Sequence, residues 1–314
     1  MSLRLEPYEP SQAAAWNAFV AASRNGVFQA DRGFMDYHAD RFTDASLVAR
    51  DGDRIVALLP AHRDGDTLVS HGGLSWGGFI LGERGGQRLV LALFELLVAE
   101  LRRQGLRRLR YKTLPLPYHR WPSEDDRYAL FRLGATRWRC ELLSMLPPEF
   151  VPPDGDLRRR PARKTPAGAD EALREDACWQ DFWPLLESVL AERHDARPVH
   201  SLAEIQLLAA RFPREIRLVT AWVDGRIAAG AVLFETPQVL RTQYLAAGPA
   251  ARATSLLDRV IDHAIAQARA GGRWFDFGTS TEDGGTVLNE GLLAFKEGFG
   301  ARTVAHDAYE LIIP

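Results

Sequence analysis

The 314-residue chain has the composition of a folded globular protein, with 46% hydrophobic residues, 25% charged residues and a formal net charge of −2. This composition excludes a disordered or fibrous chain, and the near-neutral charge gives no overall attraction to nucleic acid or to an anionic membrane. A chain of this length is expected to form two domains of ordinary size.

The two cysteines, Cys140 and Cys178, form no CxxC motif. A disulfide framework and a cysteine-rich site are therefore not expected, and we predict no metal. The N-terminal sequence MSLRLEPYEPSQ lacks the basic-then-apolar pattern of a signal peptide. No apolar run reaches the roughly 18 residues that a membrane span needs. We therefore expect a cytoplasmic protein without a membrane span.

The first half of the sequence predicts short strands alternating with helices. Apolar runs on either side of Asp51-Gly52-Asp53 indicate an antiparallel hairpin, because Asp-Gly favours a tight turn. The other predicted elements, from apolar periodicity, are strands near 3–5, 67–70, 107–112 and 136–146 and helices near 13–22, 31–41, 87–104 and 126–133.

A segment rich in proline, glycine and charge, PPEFVPPDGDLRRRPARKTP, follows at 147–166 and is typical of a linker. We therefore predict an N-terminal domain at 1–150, a linker at 151–172 and a C-terminal domain at 173–314 that carries the active site.

The second half repeats the order of elements of the first. Helices are predicted at 177–192, 201–211, 252–270 and after 288, and strands at 216–223, 226–234, 239–246, 274–277 and 303–313. The turns at Asp51-Gly52 and Asp224-Gly225, and the helix ends at Gly134 and Gly300, are separated by nearly the same number of residues. The sequence therefore predicts a duplicated unit.

This order of elements, found twice, resembles the GNAT superfamily, in particular the tandem Fem-type and acetyltransferase-like proteins of polysaccharide biosynthesis. In residues, the resemblance lies mainly in RHDARPVHSLAEIQLLAARFP, RTQYLAA, FDFGTSTEDGGTVLNEGLLAFKEGFGA and HDAYEL. It implies an α/β (α+β) fold of two tandem GNAT-like domains, each a mixed, mostly antiparallel sheet flanked by helices.

The resemblance also implies a bacterial cell-envelope enzyme, a GNAT-type N-acetyltransferase. Its acyl donor would be acetyl-CoA and its acceptor an amino group of a sugar or sugar-nucleotide precursor of a surface polysaccharide. Two alternatives stay open: a Fem-type aminoacyltransferase that uses aminoacyl-tRNA on a peptidoglycan precursor, and a non-catalytic sensor or scaffold. The expected partners are a small-molecule donor and acceptor, with tRNA only under the first alternative.

In GNAT enzymes the pyrophosphate of acyl-CoA rests on the start of the helix that follows the third hairpin strand. The resemblance assigns this contact to a segment with small residues at alternate positions: Ala251, Arg252, Ala253, Thr254 and Ser255. The usual Gly-x-Gly signature is not intact here, which leaves the aminoacyl-tRNA donor open. The alternative is an ordinary strand-to-helix turn.

Glu282 is the main candidate for the general base, because it follows the apolar strand WFDF in a polar loop. Acyl transfer to an amine requires that the amine lose a proton. His200 is the rival base, and His194 in the same loop, RHDARPVHS, is a candidate for substrate binding. The alternative for this loop is a helix cap at Ser201 with both imidazoles solvated.

Tyr244 is predicted to give a proton to the leaving group. Since strand neighbours face opposite sides of a sheet, only one of Gln243 and Tyr244 is expected to line a given face. Ser280, Asn289 and Lys296 complete the predicted substrate contacts with Gln243 and His194. Asn289 and Lys296 are seven residues apart, so they share a helix face that points at the loop of Glu282. Lys296 would neutralise a phosphate or carboxylate of the acceptor, unless it is a solvated helix end.

Overall fold

A computed structural model describes residues 2–149, 172–194, 196–249, 251 and 255–314. The chain divides into two compact units. Unit 1 contains Met1–Glu141, Asp283–Thr286 and Ala305–Pro314, and unit 2 contains Leu142–Glu282 and Val287–Val304. The predicted linker lies outside the described residues apart from its last residue. The predicted domain boundaries at 150 and 173 stay a prediction.

In the first half, the strands are β1 (Leu3–Pro7), β2 (Thr43–Asp44), β3 (Leu47–Asp51), β4 (Arg54–Leu59), β5 (His62–Asp64), β6 (Thr67–Val69), β7 (Ile80–Leu81), β8 (Arg108–Lys112) and β9 (Thr136–Leu146). The α-helices there are α1 (Ala13–Ala22), α2 (Arg32–Met35), α3 (Gln87–Arg103) and α4 (Asp125–Arg132).

In the second half, the strands are β10 (Ala172–Glu175), β11 (Ile216–Val223), β12 (Arg226–Glu235), β13 (Val239–Ala247), β14 (Trp274–Thr279), β15 (Thr281–Glu282), β16 (Val287–Leu288) and β17 (Arg302–Ile312). The α-helices are α5 (Trp179–His194), α6 (Leu202–Arg211), α7 (Leu256–Ala270) and α8 (Glu290–Glu297).

Unit 1 has a sheet of order β1-β3-β4-β7 and a second set of strands of order β17-β8-β6-β5-β2. The hairpin predicted around Asp51-Gly52 joins β3 to β4, with Gly52 at a φ of 61°. Helix α3 packs on this unit because its apolar residues recur every three or four positions. Its buried stripe consists of Val90, Leu93, Phe94, Leu97 and Leu101.

The last strand of the chain completes unit 1. Residues Ala308 to Ile312 of β17 pair antiparallel with β8, from Ala308 opposite Lys112 to Ile312 opposite Arg108. The sequence repeat places this strand in the second half, whereas its final residues cluster with the first. The physical reason is that β8 pairs with β6 on one side and takes its other ladder of hydrogen bonds from β17.

Unit 2 has the strand order β10-β11-β12-β13-β14, followed by the last residues of β9. Every described strand pair in this unit is antiparallel except β13 with β14. Helix α7 covers the sheet with Leu256, Val260, Ile261, Ala264 and Ala268. The predicted fold class, two mixed and mostly antiparallel α/β units, is confirmed. Within the part of the chain that the structure describes, none of the helices is both long and apolar enough to cross a bilayer.

Candidate active site

Strands β13 and β14 separate within unit 2. Their parallel pairing joins only Val239–Arg241 to Trp274–Asp276, although β13 continues to Ala247 and β14 to Thr279. The register of β13 against β12 shifts just after this point, and that of β14 against β9 shifts near Gly278, whose φ is 78°. Bulges bend and twist a strand, so the two strands part at their carboxyl ends.

The bulge in β13 changes which side chains meet. Val232 lies opposite Tyr244 and the next residue, Leu233, lies opposite Thr242, so Gln243 has no cross-strand partner. The side chain of Gln243 lies close enough to the phenol of Tyr244 to act on its pKa. The prediction that these two residues face opposite sides is therefore wrong, because strict alternation holds only where no extra residue is inserted.

Tyr244 and His200 form a hydrogen-bonded pair. Nδ1 of His200 lies 2.7 Å from the phenolic oxygen, and the main-chain N–H of His200 also donates to this oxygen at 3.3 Å. Burial raises the pKa of Tyr244, so the phenol keeps its proton at neutral pH. Ser201 caps α6 with Glu204, as the alternative reading of this loop expects. The imidazole of His200, however, is buried rather than solvated.

Lys296 on α8 is buried at the end of β14. Its amine donates to the main-chain oxygens of Gly278, at 3.0 Å, and Thr279. Burial lowers the pKa of Lys296 to about 8, while the nearby Asp276 raises it and Arg241 lowers it. With 3% of its surface exposed, the amine contacts the protein's own backbone. Its predicted contact with the acceptor stays a prediction.

Ser280 is also covered. Its hydroxyl lies 3.1 Å from that of Ser144, its N–H donates to the oxygen of Leu142 at 2.8 Å, and its oxygen accepts from the N–H of Asn289 at 2.9 Å. These bonds fix the chain where β14 ends. Its side chain is buried, and its predicted role in substrate binding stays a prediction.

Glu282 is exposed at the end of β15, in a short hairpin with β16. The amide of Asn289 donates to Oε1 of Glu282 at 2.7 Å, and its oxygen accepts from the N–H of Leu292 at 2.9 Å. Asn289 therefore caps α8 and holds the carboxylate of Glu282 at the same time. Asn289 and Lys296 both reach the loop at 278–282, and their roles toward a substrate stay predictions.

The start of α7 is partly described. Ala251 is buried, and Ser255 precedes the helix with a φ of 58°. Arg252, Ala253 and Thr254 lie outside the described residues. His194 is the last residue of α5, and its side chain is likewise outside the description. The predicted donor contact at 251–255 therefore stays a prediction.

Asp276 and Arg241 are polar groups at the opening that the sequence analysis missed. Asp276 is fully buried, and its Oδ1 accepts from the N–H of Gly278 at 2.7 Å. Its Oδ2 lies 4.0 Å from Nε of Arg241. The available signal was a carboxylate in the middle of the apolar strand WFDF, since such residues are rarely buried without a partner. No group of three histidine, cysteine, aspartate or glutamate residues suited to a metal ion occurs in the described ranges.

The fold is that of GNAT-type acyltransferases. Residues 155–286 match the family model described as an acetyltransferase (GNAT) domain. This region of the chain is therefore similar to a GNAT acetyltransferase domain.

Solved structures with the same fold extend over the whole chain. The chain is similar to FemX at 10% identity and a TM-score of 0.67, covering 98% of this chain and 97% of FemX. It is similar to the C-terminal domain (DUF2156) of a putative lysylphosphatidylglycerol synthetase from Agrobacterium fabrum at 15% identity and a TM-score of 0.63, with 98% and 92% covered. A tandem GNAT protein from the clavulanic acid biosynthesis pathway matches at 14% identity and a TM-score of 0.55, with 99% of each chain covered. These likenesses show the tandem GNAT fold. Comparison with curated proteins gives no match.

Proposed function

We propose that the chain is a cytoplasmic acyltransferase that transfers an acetyl group from acetyl-CoA. The acceptor is an amino group of a sugar or sugar-nucleotide precursor of a bacterial surface polysaccharide. The observation that carries this proposal is the parting of β13 and β14 after Arg241 and Asp276. Two strands that part in this way present main-chain donors and acceptors to an extended ligand, as a neighbouring strand would.

The start of α7 supports the choice of donor. The side chain of Ser255 makes no capping hydrogen bond to the helix among the described residues. The first N–H groups of a helix carry partial positive charge and bind phosphate oxygens well. We assign the contact with the CoA pyrophosphate to Ala251, Arg252, Ala253, Thr254 and Ser255, as the resemblance to GNAT enzymes implies.

In the proposed reaction, the acceptor amine attacks the thioester carbon, a carbon–nitrogen bond forms and the carbon–sulfur bond breaks. Glu282 takes the proton that the amine must lose. Tyr244 gives a proton to the departing thiolate, and its raised pKa keeps the phenol protonated until the thiolate forms. When Nδ1 of His200 carries hydrogen, both bonds from His200 are donated to the phenolic oxygen, so the phenol's own hydrogen is available to the leaving group.

The other residues would position these groups. Asn289 orients the carboxylate of Glu282, and Lys296 holds the end of β14 through two carbonyls. Gln243 and His194 are the proposed contacts to the acceptor.

The test is to incubate the purified chain with acetyl-CoA and a panel of amino sugars and their nucleotides, and to follow release of the CoA thiol. Thermal shift supplies an independent readout, because a ligand at about 100 times its Kd stabilises the fold by about 2.7 kcal/mol. The proposal would be overturned if acetyl-CoA produced no thermal shift and no acceptor caused release of the CoA thiol. Salt-sensitive retention of charged tRNA would then favour the aminoacyltransferase, and its absence would favour the sensor or scaffold.

A further inference from the structure

One end of unit 1 combines arginines with exposed apolar side chains. Three segments form it: 102–108, where α3 ends and β8 begins; 131–138, where α4 ends and β9 begins; and 312–314, where β17 ends. Ile312 lies opposite Arg108, and the N–H of Ile313 donates to the oxygen of Arg107 at 2.9 Å. The hydroxyl of Thr136 donates to the oxygen of Glu310 at 3.4 Å, so β9 begins beside the end of β17. We call these segments the arginine end.

The arginine end carries six arginines, although the whole chain has a net charge of −2. The exposed Asp66, whose main-chain oxygen accepts from the N–H groups of Arg107 and Arg108, and the half-buried Glu310 border it. Its three segments contain no aspartate or glutamate, and their arginines are Arg102, Arg103, Arg107, Arg108, Arg132 and Arg137. Arg103 pairs with Glu100 and Arg137 with Asp307. The other four are exposed, and none has an ion pair among the residues that the structure describes. These four guanidinium groups are available to an anionic partner.

The same end exposes large apolar side chains. Phe131 is 75% exposed, Ile312 60%, Trp138 45% and Leu133 36%. Phe131 stands on the outer side of α4, whose Ala129 and Leu130 are buried in the core of the unit. Large apolar groups that neighbouring segments expose to water mark a candidate site for a partner.

We propose that the arginine end docks the protein on an anionic membrane surface. Apolar side chains that project between arginines match a bilayer, because they enter the acyl boundary while the guanidinium groups meet lipid phosphates. Trp138 suits the headgroup level, and the guanidinium of Arg110 lies 5.2 Å from its ring centre. Single-stranded RNA is recognised by stacking on aromatic planes, to which Ile312 and Leu133 contribute nothing. This inference concerns a surface separate from acyl transfer and goes beyond the proposed function.

The test uses the full chain and vesicles of phosphatidylcholine with or without phosphatidylglycerol, with bound protein measured by sedimentation. We expect binding only to vesicles with phosphatidylglycerol, and weaker binding at high salt. Arg107→Ser with Arg108→Ser should weaken binding by about fivefold for each arginine. The matched control is Arg84→Ser with Arg88→Ser, which removes the same charge from exposed positions of unit 1 outside the arginine end and should change binding little.

The apolar contribution is tested separately. Phe131→Ser with Ile312→Ser should weaken binding by about tenfold or more at both low and high salt, because the lost apolar burial is not screened. Leu116→Ser, at a 48% exposed position outside the arginine end, is the control. Thermal unfolding of each variant should match wild type, since all these side chains are exposed.

Three results would overturn the proposal. The first is no binding to phosphatidylglycerol vesicles at low salt. The second is binding that survives both arginine-end variants, which would point to the arginines of the linker at 158–160 instead. The third is retention of tRNA, but not of vesicles, with loss on Arg107→Ser and Arg108→Ser, which would make this end an RNA surface.

Discussion

Lys296→Met should abolish a gain in stability that wild type shows as the pH rises. Burial lowers the pKa of Lys296 from 10.5 to about 8 in the folded chain. Between these pH values the unfolded chain holds a proton that the folded chain has released, so stability rises with pH. At about 1.4 kcal/mol per pH unit, the whole interval corresponds to about 3 kcal/mol. Methionine has no proton to release, so this contribution disappears.

Urea unfolding of wild type and variant, measured from pH 8 to pH 10.5, gives the difference directly, because other titrating groups are common to both. Hydrogen exchange of the α8 amides adds a local readout in case the two units unfold separately. Lys296→Arg is the matched variant: it keeps a donor but stays charged, so it should also lack the gain. The free energy of unfolding of wild type minus that of Lys296→Met should rise with pH, and a value that stays constant or falls would refute the reasoning.

Further outcomes concern catalysis and acid stability. Glu282→Gln should lower kcat by roughly 10²–10⁴ in the thiol-release assay, whereas the exposed Glu290→Gln should not; equal turnover would exclude Glu282 as the base. Tyr244→Phe should lower kcat by at least about tenfold and leave KM nearly unchanged, and a larger loss with His200→Ala would make the histidine the essential group. Burial lowers the pKa of His71 from 6.5 to about 3, so acidification within this range should destabilise unit 1 by up to about 1.4 kcal/mol per pH unit. His71→Asn, which tolerates the φ of 56°, should reduce this loss in acid-unfolding curves, and unchanged curves would contradict the assignment.

The sequence predicts most elements because their patterns are local. Apolar spacing defines α3 and α7, and the Asp224-Gly225 turn takes the positive φ values that Asp-Gly suggests, 49° and 73°. The proximity of Glu282 and Asn289 follows from a short hairpin between a strand and a helix. Each of these features depends on residues that are close together in the sequence.

Other features of the site depend on partners distant in sequence. Lys296, next to Glu297 near a helix end, has the pattern of a solvated residue, yet the left-handed Gly278 brings two carbonyls to its amine. The bulge at Gln243 is defined only by the register with β12. The periodicity of the sequence does not show the register of β13 with β12, and it does not show which carbonyls accept from Lys296. Neither feature could therefore be predicted from it.

The pairing of β17 with β8 has a consequence for synthesis of the chain. Domains usually fold as they leave the ribosome, the N-terminal one first. Here β8, at residues 108–112, has no β17 to pair with until about 200 more residues have been synthesised. At 5–20 residues per second this takes about 10–40 seconds. During this interval the edge of β8 that later pairs with β17 is open to wrong pairing. A nascent chain stalled before residue 305 should therefore be more sensitive to protease in unit 1 than the completed protein.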